Sequence, residues 1–146
     1  MIEARGSKNG KIVLTEKRET TGKPESIKLT ADRTTIDANG EDVAIVRVEV
    51  LDGQGRHVPT ADNQISFKLT GEGKLIGVGN GDPNCQESDK ESKRSLFNGL
   101  AQVILQGNKT PGTITLEAYT EPWPGPHLTT AKLEITTKKV ELRPAV

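Results

Sequence analysis

Apolar residues at every second position are the feature of this sequence that most limits its fold. In the stretch 41–52, one alanine and three valines occupy the even positions from Ala44 to Val50, while Arg47 and Glu49 stand between them. This period of two is that of a β-strand with one buried face and one wet face. The length of the run predicts a strand in the middle of a sheet.

Six further stretches are predicted to be strands. They are Ser26 to Ala31, Gln64 to Thr70, Leu75 to Val78, Leu100 to Gln106, Thr113 to Thr120, and a last strand around Ala131, Leu133 and Ile135. Glycine, proline, asparagine and aspartate separate them, and no stretch shows the 3.6-residue period of a helix. The sequence therefore predicts an all-β fold, an antiparallel two-sheet immunoglobulin-like β-sandwich.

The composition limits which residues can form the core and which partners the chain can bind. Aromatic residues make up 3% of the chain, so we expect an aliphatic core without the cysteine pair and tryptophan of antibody domains. The 20 basic and 20 acidic residues cancel, which leaves no basic excess for nucleic acid. No apolar run approaches the length of a membrane span. Cys85 is the single cysteine, so neither an intrachain disulfide nor a thiolate metal cluster can form.

The domain organisation is predicted in three parts. Residues 1–21 are interpreted as the remnant of a preceding β domain plus a linker, because a strand after the Asn9-Gly10 turn lacks a convincing partner before it. Residues 22–137 form the sandwich, and residues 138–146 form a tail.

A glycine-dense turn ends the predicted buried strand Leu75 to Val78. Gly77, Gly79 and Gly81 do not have the spacing of a dinucleotide-binding loop, so we interpret them as turn residues. The polar tract 84–94 that follows is predicted to be a solvated excursion.

Candidate chemical residues are few. His57 and His127 lie in separate loops, and neither has a motif that fixes an acidic neighbour. The fragment 37–42 resembles part of a calcium loop but lacks the distal glutamate, so a hairpin turn is favoured. We expect no catalytic residue, no metal and no cofactor in this chain.

Trp123, in a proline-rich loop close to Tyr119, is the most suggestive binding residue. Its indole has three possible roles: packing against the end of its own sandwich, contact with another domain, or stacking on a sugar ring. Trp123 and Tyr119 are therefore the candidate carbohydrate-binding residues.

Several strings together resemble a known family. They are Thr21-Gly22-Lys23-Pro24, Gly40-Glu41-Asp42-Val43-Ala44, Val58-Pro59-Thr60-Ala61-Asp62-Asn63, Leu75-Ile76-Gly77-Val78-Gly79-Asn80-Gly81-Asp82-Pro83 and Leu96-Phe97-Asn98-Gly99-Leu100-Ala101. Between about residues 21 and 137 the chain resembles the C-terminal immunoglobulin-like domain of bacterial glycoside hydrolase family 2 enzymes, mostly β-galactosidases. It departs from them after Pro83, where relatives carry small residues and a histidine.

The resemblance implies a non-catalytic accessory domain of a carbohydrate-degrading enzyme. In such enzymes the catalytic glutamates sit in a separate (β/α)8 barrel, so the implied partners are the other domains of the parent glycosidase. Export to the periplasm or the cell exterior is implied as well.

A second resemblance is to the repeating domains of invasin-type adhesins. It rests on Asp37-Ala38-Asn39-Gly40, Leu51-Asp52-Gly53-Gln54-Gly55-Arg56-His57-Val58-Pro59 and Thr110-Pro111-Gly112-Thr113-Ile114-Thr115-Leu116. Asn80-Gly81-Asp82-Pro83 and Leu96-Phe97-Asn98-Gly99 favour the hydrolase. An adhesin stalk domain and a carbohydrate-binding module that uses Trp123 remain the two alternatives to the accessory domain.

Overall fold

The computed structural model describes residues 2–8, 10–18, 20–121, 127–142 and 144. These residues form eleven strands and no helix, so none of them belongs to a helix that could span a membrane. The strands are β1 (Ile2–Lys8), β2 (Lys11–Arg18), β3 (Ser26–Ala31), β4 (Thr35–Asp37), β5 (Val43–Leu51), β6 (Gln64–Gly71), β7 (Gly73–Gly79), β8 (Lys93–Ser95), β9 (Leu100–Gly107), β10 (Gly112–Tyr119) and β11 (Ala131–Lys138).

Two sheets form the sandwich. One has four strands in the order β3-β5-β9-β7, and the other has five in the order β4-β11-β10-β6-β8. Neighbouring strands are antiparallel except for β4 and β11, which are parallel. The predicted two-sheet sandwich is therefore confirmed. The predicted central strand is β5, since Val48 pairs with Leu29 on one side and with Ala101 on the other.

The core between the sheets is aliphatic, as expected. On β5 the side chains from Ala44 to Val50 that were predicted to face inward are fully buried, whereas Ile45 on the opposite face is 39% exposed. β9 is an inner strand of the four-stranded sheet and β10 an inner strand of the five-stranded sheet. Their predicted inward residues are buried too; they are Ala101, Val103, Leu105, Ile114, Leu116 and Ala118.

The predicted buried strand 75–78 differs from the structure in one respect. A register shift between Leu75 and Gly77 places an extra residue opposite Ile104, and Ile76 is 40% exposed as a result. Only Val78 in this stretch is buried. The β-bulge interrupts the alternation on which the prediction rested.

The tract 84–94 is not a fully solvated excursion, so that prediction is wrong in its second half. Strand β8 pairs with β6, and the side chain of Arg94 is buried. A short strand of this kind carries too few residues for a period of two to be recognised. The same reason explains why β4 was not predicted.

The first eighteen residues contain a hairpin. β1 and β2 pair with each other in antiparallel register from Ile2 opposite Arg18 to Lys8 opposite Lys11. The expectation that the segment before the turn is too short to act as a partner is therefore wrong. The assignment of residues 1–21 to a preceding domain stays a prediction.

Most of the loops that carry the distinctive motifs meet at one end of the sandwich, which we call the linker end. There β3, β9 and β11 begin while β5, β7 and β10 end. The linker end collects the segment 20–25, the loop 52–63, the loop 80–92 and the turn 96–99. The opposite end holds short turns at 38–42, 71–72 and 108–111.

Candidate functional site

A buried carboxylate holds the entering chain at the linker end. The side chain of Asp52 is 1% exposed. Its Oδ2 accepts hydrogen bonds from the backbone amide of Gly22 at 2.8 Å and from Nε of Arg56 at 2.9 Å. Its Oδ1 accepts from the amides of Gln54 at 2.9 Å and Arg56 at 3.0 Å. One side chain therefore joins the entering segment to the loop after β5.

The same bonds determine the charge of Asp52. Hydrogen bonds from the Gly22 and Arg56 amides lower its pKa far below the ordinary value, and they outweigh the opposing effect of burial. Two backbone bonds continue the attachment, because the amide of Glu25 donates to Leu51 at 2.9 Å and the amide of Thr129 donates to Glu25 at 2.8 Å. The segment from Gly22 to β3 is thus held to the sandwich at both of its ends, Gly22 and Glu25.

A tight turn between β8 and β9 lies against the same end of β5. Asn98 and Gly99 both have positive φ, 52° and 74°, and the flanking residues Phe97 and Leu100 exchange two backbone hydrogen bonds. These are the features of a two-residue type I′ hairpin, for which Asn-Gly is the favoured sequence. Gly99 packs so closely on Val58 that a Cβ atom would stand 2.1 Å from the Val58 carbonyl oxygen.

An exposed aromatic ring and a cleft lie beside this turn. Phe97 is 39% exposed, and because it stands directly opposite Leu100 the two side chains share a face. Leu100 in turn lines a cleft of about 450 Å³ on the outer face of the four-stranded sheet. We call this surface the Phe97 cleft; it consists of Phe97 and the lining residues Arg47, Gly79, Asn80, Gly81, Leu100, Ala101 and Gln102.

One wall of the Phe97 cleft is fixed by Asn80. Its side-chain amide donates to the Ser95 carbonyl at 2.9 Å, and its Oδ1 accepts from the amide of Asp82 at 3.0 Å. Gly79 and Gly81 on either side have open space where a Cβ would stand, so side chains here would fill the cleft. The glycine-dense turn therefore gives the cleft a floor of exposed backbone.

Glu87 holds the loop behind that wall. Its carboxylate accepts from the Ser95 amide at 2.8 Å and from Nε2 of Gln64 at 3.3 Å, while its backbone carbonyl accepts from Nη1 of Arg94 at 2.9 Å. Asp89 lies 3.1 Å from Nη2 of Arg94. Burial opposes ionisation of Glu87, but the bonds from Ser95 and Gln64 and the Arg94 charge outweigh it, so its pKa is lowered.

The two histidines have different surroundings. Nε2 of His57 lies 3.0 Å from the Asn98 carbonyl and its Nδ1 lies 3.6 Å from a Glu49 oxygen, so His57 supports the Asn98-Gly99 turn. His127 is exposed. Over the described ranges, no group of three or more His, Cys, Asp and Glu side chains is arranged to hold a metal ion.

The fragment that resembles a calcium loop forms a turn stabilised by its own side chains. Oδ1 of Asn39 accepts from the amides of Glu41 and Asp42, both at 2.8 Å. Oδ2 of Asp42 accepts from the amide of Asp37 at 2.9 Å, and the Asp37 carboxylate lies 3.2 Å from Nζ of Lys138. These oxygens cap backbone amides or pair with a lysine, which agrees with the favoured hairpin-turn interpretation.

The predicted carbohydrate-binding residues are only partly described. Tyr119 ends β10, pairs with Ser66 and is half-buried at the linker end of the five-stranded sheet. Trp123 lies outside the described residues. Their role in carbohydrate binding stays a prediction.

Sequence reasoning did not identify Asp52, Glu87 or Phe97 as important residues. A signal for Asp52 was present, because an aspartate followed by glycines at positions 53 and 55 is typical of a turn capped by its own side chain. The Asn98-Gly99 dipeptide indicates that Phe97 stands next to a turn, but it does not indicate that the Phe97 side chain is exposed. Glu87 had no signal in a tract of mixed charge.

A family model described as glycoside hydrolase family 2 C-terminal domain 5 matches residues 27–129. The chain is 42% identical over 113 residues to the β-galactosidase BoGH2A of Bacteroides ovatus. The matching region covers 77% of this chain and 13% of that protein. In all, the chain spans between 11 and 14% of the lengths of the curated relatives it matches.

Solved structures show the same likeness. A glycosyl hydrolase family 2 member from Bacteroides cellulosilyticus superposes with a TM-score of 0.86 at 31% identity, over 94% of this chain and 17% of that one. A C-terminal fragment of intimin superposes less closely, with a TM-score of 0.53 at 26% identity, over 77% of this chain and 33% of that one. The sandwich is thus shared with the intimin fragment, but it superposes more closely on the glycosyl hydrolase family 2 member.

Proposed function

The chain belongs to the family of glycoside hydrolase family 2 C-terminal domain 5, and from this premise we propose that it is a non-catalytic accessory domain of a bacterial, β-galactosidase-like glycosidase. The observation that carries the proposal is the family match over residues 27–129 in a chain that covers about one eighth of its relatives. The catalytic carboxylates would then lie in another domain of the same polypeptide.

The chemistry of the linker end supports a structural task. A glycosidase needs two carboxylates about 5–10 Å apart on either side of a sugar, and one of them often has a raised pKa. In the described part of the chain, the carboxylates with shifted pKa values are Asp52 and Glu87; both pKa values are lowered, and each carboxylate accepts hydrogen bonds from backbone amides. Such groups are stabilised as anions and are poor general acids.

Hydrolysis assays on two forms of the protein test the proposal. The 146-residue chain and the complete polypeptide that encodes it would each be incubated with nitrophenyl β-galactoside and β-glucuronide. We expect turnover by the complete polypeptide and none by the chain. Turnover by the purified chain would overturn the non-catalytic assignment, and a parent made of tandem copies of this domain would support the adhesin alternative instead.

Location follows from the same premise. We propose that the parent glycosidase works in the periplasm or at the cell exterior, which is supported only by the resemblance to exported enzymes of the family. Fractionation of the producing cells, with the hydrolase activity as a marker, tests this. Activity confined to the cytosolic fraction would refute it.

Carbohydrate contact by the domain itself is the second candidate. It is supported by the position of Tyr119 at the linker end, where the motif loops meet. Titration of oligosaccharides while Trp123 emission and amide chemical shifts are followed would show saturable changes at these two residues if they bind sugar. Unchanged spectra at millimolar sugar would remove this candidate.

A further inference from the structure

We infer that the Phe97 cleft is the contact surface for a preceding β domain of the same polypeptide, and that the β1–β2 hairpin is part of that domain. The inference rests on the proposed function, because it needs a multidomain parent. It goes beyond that proposal by assigning a surface and an occupant.

The two outer faces of the sandwich differ in character. The five-stranded sheet presents cross-strand rows of charged and hydroxyl side chains, which suit water. They are Lys68, Glu117 and Lys132 in one row and Thr70, Thr115 and Glu134 in the next. The four-stranded sheet also carries charged side chains on its outer face, where Glu49 pairs with Lys28 and Arg47. It adds the exposed apolar residues Ile45, opposite Ile104, and Ile76 at the bulge, besides the Phe97 cleft. Exposed apolar side chains grouped among polar ones in this way mark a contact surface.

The residues of the Phe97 cleft are of the types found in protein interfaces. The exposed ring of Phe97 is paired with Leu100, and Leu100 lines the cleft together with the polar side chains of Arg47 and Gln102. Aromatic and arginine side chains next to apolar surface are enriched in protein interfaces. The fold itself does not require Phe97, since the turn is held by Asn98 and Gly99.

The entering chain is delivered next to this surface. Gly22 is bound to Asp52, directly after β5, and Leu100 is paired with Glu49 near the end of the same strand. The linker attachment and the cleft therefore share the last residues of one strand. Because the chain is attached to the sandwich at Gly22 and Glu25, the preceding domain is tethered to this end.

Chain length limits how far the neighbour can be. β2 ends at Arg18, and four residues of extended chain reach at most about 14 Å, so the hairpin end lies within that distance of Gly22. β1 and β2 pair only with each other in the described part of the chain, and a lone two-stranded hairpin is marginally stable. The rest of its domain would complete it beside the linker end.

A tethered neighbour does not need a strong contact. A short linker gives an effective concentration of about millimolar, so a weak interface remains occupied within one polypeptide. A modest apolar patch such as the Phe97 cleft is sufficient under these conditions. The same patch would not hold a separate protein at cellular concentration.

Hydroxyl-radical footprinting of the complete parent polypeptide and of the 146-residue chain tests the inference. The oxidation rate of Phe97 is compared between the two forms, and Leu142, which is exposed near the opposite end, is the internal control. We expect severalfold slower oxidation of Phe97 in the parent and no change at Leu142. Equal oxidation of Phe97 in both forms would overturn the inference.

Variants of the parent give a second readout. Phe97→Ser should raise the oxidation of Leu100 in the parent while leaving the melting temperature of the isolated chain unchanged, and Leu142→Ser is the matched control. If Phe97→Ser leaves Leu100 protected, the domain contact lies elsewhere and the inference is wrong. Hydrolytic activity is measured separately, so failure of the glycosidase assignment is distinguished from failure of the contact.

Footprinting with soluble oligosaccharide tests whether the Phe97 cleft binds sugar instead of a neighbouring domain. If the isolated chain shows saturable, cleft-centred protection of Phe97 with galacto-oligosaccharide, and the parent without sugar shows none, the cleft is a sugar site and the domain contact is refuted. Lack of any effect of sugar, together with protection in the parent, supports the contact.

Discussion

Replacement of Val48 tests the orientation of every side chain in the central sheet. Val48 is fully buried and is flanked by paired strands on both sides. Removing two methyl groups in Val48→Ala loses about 1.6 kcal/mol of transfer free energy, at about 0.8 kcal/mol per methylene. The remaining cavity adds to this, so we expect a loss of about 2–3 kcal/mol in the free energy of unfolding.

Val48→Asp should be much worse. It loses about 1.5–3 kcal/mol of apolar burial, and a buried unpaired carboxylate costs several kcal/mol more. The sum is comparable to the total stability of a domain, about 5–15 kcal/mol. We therefore expect Val48→Asp to be unfolded at 25 °C.

Urea unfolding followed by circular dichroism measures both effects. With a denaturant dependence of about 2 kcal/mol/M, Val48→Ala should lower the midpoint by about 1 M. Ile45→Asp is the matched control, because it introduces the same charge on the exposed face of the same strand, and it should cost about 1 kcal/mol. A folded Val48→Asp with a midpoint equal to that of the unmodified chain would refute the assigned orientation of β5.

Three other changes test the linker end. Gly99→Ala should lower the melting temperature more than Gly81→Ala. Both positions have positive φ, which costs an alanine about 1–2 kcal/mol, but only a Cβ at Gly99 would also clash with a carbonyl oxygen, that of Val58. Equal losses of melting temperature would contradict this. Asp52→Asn should destabilise the chain at neutral pH. Because the pKa of Asp52 is lowered in the folded chain, ionised Asp52 stabilises the fold above its ordinary pKa of 3.8, and this stabilisation is lost as pH falls toward the folded value. The difference in melting temperature between Asp52→Asn and the unmodified chain should therefore shrink below about pH 4. A difference that is constant from pH 7 to pH 2 would argue against this role of Asp52. Glu87→Ala should make the loop 80–92 sensitive to trypsin, whereas Glu91→Ala, which removes only an exposed ion pair, should not; equal cleavage of both variants would show that Glu87 does not hold the loop.

The strands of the sandwich could be predicted because side-chain alternation is a geometric property of the strand itself. Val48 and Leu116 needed no knowledge of their neighbours to be placed in the core, and both are fully buried. The exposure of Ile76 could not be predicted in this way, because a bulge depends on how two strands align. An extra residue in one strand leaves the local sequence pattern unchanged.

The linker-end site was less predictable because its contacts join distant parts of the chain. The bond from Gly22 to Asp52 spans 30 positions, and that from Gln64 to Glu87 spans 23. Burial of Arg94 depends on the chain folding back so that the Glu87 carbonyl and the Asp89 carboxylate meet its guanidinium group. A tract rich in charge is solvated on average, and such a local closure is not visible in composition.

Rigidity at the linker end links the two proposals. An accessory domain can fix the position of a neighbour only if the connection between them does not rotate, and here a buried carboxylate with a lowered pKa holds that connection. Loosening it by Asp52→Asn should therefore increase the oxidation of Phe97 in the parent, although Asp52 is not one of the residues that line the cleft. If the Gly22 amide exchanges faster in this variant while Phe97 stays protected, the cleft contact is held by its own apolar surface and does not need the clamp. If both change together, the clamp sets the orientation of the domain and the apolar contact follows from it.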